Sequence, residues 1–128
     1  MNLLLDTNAF IWLHARPDYL SKKAESAIVD VENTVFLSVA SVWEMQIKIR
    51  IGKFNFAEPL REVISCQQIE NEIEVFSVEL SHALFLENLD FHHKDPFDRL
   101  LISQAIVEDL VVITNDRAFR KYPVRCLW

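Results

Sequence analysis

Short apolar runs alternate along the chain with longer segments of helical period, and each pair predicts a strand followed by a helix. Leu3–Leu5 is a brief, wholly apolar run and reads as a buried strand. Asn8–His14 begins a helix, and Pro17 and Asp18 mark a loop. Ser21 is placed to cap a helix reaching Val31, with Ala24, Ala27, Ile28 and Val31 on its inner face. Thr34–Leu37 is β-branched and aromatic, which favours a strand. Ser38 or Ser41 opens the next helix, which runs to Ile51 and stops at Gly52.

Pro59 starts a helix to Ile69, and Ile73–Val78 is a third strand. Ser81–Leu89 is helical, and His92–Asp95 form a loop. Asp95-Pro96-Phe97-Asp98 starts a helix to Glu108, with Leu101, Ile102, Ala105 and Ile106 apolar. Leu110–Ile113 is a fourth strand, Asn115–Lys121 a short helix and Val124–Leu127 a last edge strand. This alternation predicts an α/β fold with a mostly parallel sheet covered by helices on both faces.

Composition narrows the classes. The 128 residues suit one domain, and no repeat, linker or low-complexity stretch divides them. Gly52 is the only glycine, so no glycine-rich phosphate loop of Walker or dinucleotide type exists. Cys66 and Cys126 form no metal or redox motif. No apolar run approaches the roughly 20 residues that span a bilayer. The N-terminus lacks the basic start of a signal peptide. The chain reads as a soluble, cytoplasmic protein with reduced thiols. With 13 basic against 19 acidic residues, the net charge is −6, which argues against gripping nucleic acid through a basic face. Acids that hold metal ions would add to that excess without excluding nucleic acid.

Four acids stand where chemistry gathers in such folds, beyond the carboxyl ends of strands. Asp6 follows Leu3–Leu5, and Asp116 follows Val111-Val112-Ile113-Thr114-Asn115. Each also reads as a simple turn, cap or first-turn acid. Glu44 fits a capping box with Ser41, yet Val39, Ala40, Val42 and Trp43 surround it with apolar neighbours. Asp98 lies one turn into a helix that Asp95 already caps. If all four converge, their mutual repulsion calls for a divalent cation, and Mg²⁺ and Mn²⁺ prefer oxygen ligands.

The strings LLLDTN, SVASVWEMQIKIRIGKF, HHKDPFDRLLISQA and VVITND resemble, in order and spacing, the PIN-domain family and within it the VapC-type toxin ribonucleases. The likeness runs from Asn2 to Trp128, and DPFDRLLISQA is its most specific element. It implies a PIN-like α/β/α sandwich with a central sheet of four to five strands, in a single domain spanning 1–128. It implies that Asp6, Glu44, Asp98 and Asp116 are the metal-binding and catalytic quartet of a Mg²⁺- or Mn²⁺-dependent endoribonuclease. Asp6 and Asp98 would be direct ligands. Glu44 and Asp116 would bind through water, or orient the attacking water. Thr7, Asn8, Thr114 and Asn115 are supporting polar groups. The resemblance further implies an RNA substrate, a cognate antitoxin and a homodimer, with no membrane.

Lys48, Arg50 and Lys53, joined by Arg99 and Arg117, form a local phosphate-binding patch on this reading, or else a solvated face. Trp12, Trp43 and Phe97 either stack bases or belong to the core. His92 and His93 read as surface loop residues, because no further His or Cys ligand accompanies them; His14 and His82 are isolated. Two readings compete with a nuclease. A receiver-like signalling domain also holds Mg²⁺ on strand-end acids, but Leu37-Ser38 and Phe76-Ser77 lack its aspartate and no Lys follows Ile113 closely. A PIN-fold binding scaffold would not need the intact quartet.

Overall fold

The computed structural model describes all 128 residues. Its strands are β1 (Asn2–Leu5), β2 (Thr34–Ser38), β3 (Glu74–Phe76), β4 (Val111–Ile113) and β5 (Cys126–Leu127). Its helices are α1 (Thr7–Ala15), α2 (Lys22–Val29), α3 (Val39–Arg50), α4 (Leu60–Glu70), α5 (Leu80–Phe85) and α6 (Pro96–Glu108). Short 3₁₀ turns cover Pro17–Tyr19, Leu86–Asn88 and Arg117–Lys121. The last replaces the expected helix of Asn115–Lys121. No helix is long and apolar enough to cross a membrane.

All five strands pair in parallel, in the order β3-β2-β1-β4-β5. A receiver-like domain follows the order 2-1-3-4-5, so the signalling alternative fails on topology. The chain winds outward from β1 through β2 to β3, then crosses back to lay β4 against the other side of β1. That reversal opens a crevice beyond the carboxyl ends of β1 and β4, where ligands bind in open α/β sheets.

The Leu3–Leu5 run occupies the centre because it is apolar on both faces. Leu3 and Leu5 join α1, α2 and α4 through Phe10, Ala24, Ile28 and Val63. Leu4 points the other way, toward Leu101, Ile102 and Ala105 of α6. Each of the three leucines is fully buried, and each contributes about 1.5–3 kcal/mol. α3 begins at the end of β2 and crosses the sheet edge. Ala40 packs into one layer and Met45 into the other.

At α2 an expectation changes, and at α3 an open choice is settled. α2 ends at Val29, and Val31 sits in the following turn at 86% exposure. There Asp30 accepts a hydrogen bond from the Glu32 N–H, which draws the chain out of the helix. Ser38, not Ser41, caps α3 by accepting from the Ala40 N–H at 3.0 Å. Gly52 ends that region with φ +76°, a conformation that suits glycine. His82 is a satisfied core residue: its Nδ1 accepts from the Glu79 N–H and its Nε2 meets Glu108 at 2.9 Å.

The motif around α6 hides polar groups. Gln104 is fully buried, accepts from the Ser38 hydroxyl at 2.6 Å and donates to the Ser77 carbonyl at 3.3 Å. It thereby fastens α6 to the ends of β2 and β3. Gln104→Met keeps the volume and strips both partners of their bonds. We expect a loss of about 2–3 kcal/mol, read from the urea unfolding midpoint.

Candidate metal centre

One carboxylate oxygen of Asp6 and one of Asp116 complete a backbone turn. Asp6 Oδ1 accepts from the Ala9 N–H at 2.7 Å, capping α1. Asp116 Oδ1 accepts from the Ala118 N–H at 2.9 Å, capping the 3₁₀ turn after β4. The cap reading is therefore correct for Asp6, while Asp116, expected in the first turn, is the cap instead; each still has a second oxygen to present. Because Asp6 follows β1 and Asp116 follows β4, both face the switch-point crevice. With Asn8, Trp12 and Asn115 they line a hollow of ≈ 200 Å³.

Glu44 enters from the second turn of α3, so the capping-box reading with Ser41 does not hold. It is 3% exposed. Its Oε1 accepts from the Thr7 hydroxyl at 2.6 Å, and its Oε2 meets Lys48 Nζ at 2.7 Å. The Ser41 hydroxyl lies 3.0 Å from Thr7 Oγ1 and completes this buried contact between α1 and α3. Burial alone would lower the Lys48 ammonium. The Glu44 bond and charge, with Asp95 and Asp98, outweigh it and hold the group above its ordinary value.

Asp98 stands one turn into α6. Asp95 is the cap, accepting from the Phe97 and Asp98 N–H groups at 2.8 and 3.2 Å. Burial pushes the Asp98 carboxyl up to about 7, with the Asp95 and Glu44 charges adding to it. Burial likewise raises Asp6 to about 6, against the Thr114 hydroxyl and Ala9 N–H bonds that favour its charge. The charges of Asp116 and Glu44 raise it further. Asp6 feels the charges of Asp116 and Glu44, and Asp98 those of Glu44 and Asp6, which links the four sequence-predicted residues electrostatically.

His93, expected as a surface loop residue, lies at this site instead. It is 19% exposed, and its Nε2 lies 2.9 Å from Asp98 Oδ2 and 3.2 Å from Asp116 Oδ2. Ligand atoms of His93, Asp98 and Asp116 all fall within 4.8 Å of one another. Its position two residues before the Asp95 cap was the available signal. The donor set suits Mg²⁺ or Mn²⁺: hard oxygens, burial and negative charge in excess of its partners.

Thr114 Oγ1 accepts from the Asp116 N–H at 3.0 Å, and its hydroxyl favours the charged form of Asp6. Arg99 departs from the expected patch. Its guanidinium donates to the Asp90 carbonyl and the Tyr122 hydroxyl, and lies over the Phe91 ring at 4.8 Å. It braces the loop before α6. Trp12 is half-buried and packs edge-on against Tyr19 and Trp128.

Raised acid pKa values make a stability prediction. Between about pH 4 and 7 the folded chain binds more protons at Asp6 and Asp98 than the unfolded chain does. Their contribution is thus fully present below the unfolded value of 3.8 and lost as pH rises through about 6 and 7. In EDTA, the Tm is expected to fall by roughly 5 °C or more between pH 5 and pH 8. A thermal melt at each pH checks this.

The sequence profile of the PIN domain family matches residues 3–124. No curated protein sequence matches the chain significantly. VapBC2 from Rickettsia felis, bound to a DNA fragment from its promoter, has the same fold, with TM-score 0.73, 18% identity and 98% and 97% of the two chains covered. DNA-bound VapBC from Salmonella typhimurium gives TM-score 0.70, 18% identity and coverage of 98% and 96%. VapBC-1 from nontypeable Haemophilus influenzae gives 0.70, 16%, and 98% and 96%. The profile match spans nearly all of the sequence, and the chain belongs to the PIN domain family.

Proposed function

We propose that residues 1–128 form a single nuclease domain that hydrolyses RNA phosphodiester bonds with Mg²⁺ or Mn²⁺ and acts as the toxin of a toxin–antitoxin pair. The gathering of Asp6, Glu44, Asp98 and Asp116 at the switch point carries this reading. A metal bound there would supply an activated water and stabilise charge on the phosphate. Asp6 and Asp98 offer the direct ligand oxygens. Glu44 is held by Thr7 and Lys48, and Asp116 by its cap, so both are oriented to bind through water or to aim the attacking water. Asn8 and Asn115 border the hollow, and Thr7 and Thr114 fix the acids' orientations.

RNA would approach over a second hollow of ≈ 340 Å³ beside Glu44, lined by Lys48, Lys53, Lys94 and Phe97 among others. Exposed Arg50 and Arg117 extend the positive charge, while Arg99 is engaged in its loop. This local basic ground lets an acidic chain hold phosphates. On this reading the protein acts in the cytoplasm.

A homodimer is supported by α3. Val39, Trp43, Ile47 and Ile51 recur every four residues and are all exposed, forming one apolar stripe. The structural neighbours are VapBC assemblies. They support a cognate antitoxin whose C-terminal segment would occupy the groove and block the site.

Asp6→Asn and Asp98→Asn are expected to abolish cleavage of a fluorogenic single-stranded RNA while the circular dichroism spectrum stays unchanged. EDTA should silence the native protein and Mn²⁺ restore it. Full activity in folded Asp98→Ala would defeat the assignment and favour the scaffold reading. Trp43→Glu should convert a dimer to a monomer in analytical ultracentrifugation.

A further inference from the structure

Asp98 and Asp116 are already joined by a side chain that the reading above leaves without a role. His93 Nε2 lies within hydrogen-bond distance of an oxygen on each, 2.9 Å from Asp98 and 3.2 Å from Asp116. Its other ring nitrogen faces main chain, because the Asp95 N–H points at Nδ1 from 3.3 Å. A backbone N–H can only donate. Nδ1 therefore accepts, and the single proton of a neutral imidazole sits on Nε2. The Nε2–H group is thus a donor shared between two carboxylates.

The ring is fixed in this pose from several sides. The His93 backbone N–H donates to the Tyr122 hydroxyl at 2.9 Å, and the imidazole meets Phe119 edge-on at 6.3 Å. A histidine that ligates metal must present a lone pair, whereas Nε2 here presents a proton. Turning the ring to expose a lone pair would forfeit the Asp95 contact. The same Oδ2 atoms that receive the His93 proton are the ones a shared cation would need.

We propose that His93 is a positioning residue that latches Asp98 to Asp116 in the metal-free protein. It must release both oxygens before a divalent cation is held there. This inference rests on the reading of the four acids as a metal centre. The latch holds the two carboxyl groups at fixed spacing through one shared donor. It is also an internal competitor. Only molecules with the latch open are ready to bind, so the apparent cation affinity is reduced by that fraction.

Calorimetric titration of the metal-free protein with Mn²⁺ tests this, with a thermal melt of each variant to confirm folding. His93→Ala removes the latch. His93→Phe keeps a ring against Phe119 with neither nitrogen, and His93→Gln restores an N–H donor. Ala and Phe are expected to bind Mn²⁺ roughly tenfold more tightly than the native chain, with Gln within about threefold of it. Unchanged affinity in the folded Ala and Phe variants overturns the proposal. So does a fall of roughly ten- to hundredfold, which marks a ligand or a ligand's support. Flat titrations of the native protein and of all three variants would overturn the metal centre itself and the latch with it. That result is distinct from one in which native and variant proteins bind alike.

Discussion

Backbone N–H groups at the starts of helical turns hold this site in place. Asp6 and Asp116 each give one oxygen to such a group and keep the other for the crevice. Asp95 takes the cap of α6, which leaves Asp98 free at the third position of the first turn. A cap contributes about 1 kcal/mol, and the helix dipole favours negative charge at the same point. Structural and chemical uses of these acids are therefore not rivals. The cap supplies the orientation that the crevice requires.

That arrangement explains what could be read from the chain. Leu3–Leu5 followed by Asp6 specifies a central strand that ends in an acid, because only a strand covered on both faces tolerates three leucines in succession. Asp95-Pro96 specifies a helix start by cap and fixed φ. Alternation of strand and helix then leads to the parallel sheet, and all pairings prove parallel. His93 was not readable in this way. Its role comes from the Asp95 N–H and from two carboxylates, one of them 23 positions away. Glu44 was misleading for a related reason. A Ser-x-x-Glu spacing matches a capping box, but the helix begins three residues earlier and the partner is Thr7, brought in by β1 and α1. Arg99 likewise has its partners fixed by a loop turn and by Tyr122.

Charge is distributed with the same economy. Setting the four acids aside leaves 15 acidic against 13 basic residues, so the rest of the chain is nearly neutral. The excess is concentrated where burial makes it most unfavourable, at Asp6 and Asp98. Lysines stand on the Glu44 side of that concentration, and Lys48 touches it directly.

Burying like charges at the switch point has an evolutionary consequence. The fold is under tension where its chemistry resides, since removing charge from Asp98 would relieve repulsion and desolvation together. Random drift judged by folding alone would discard that carboxylate early, while sparing Asp6 and Asp116 longer because their oxygens also cap turns. Asp98 stands beside Asp95, which already does the capping, so folding alone gives no reason for its charge.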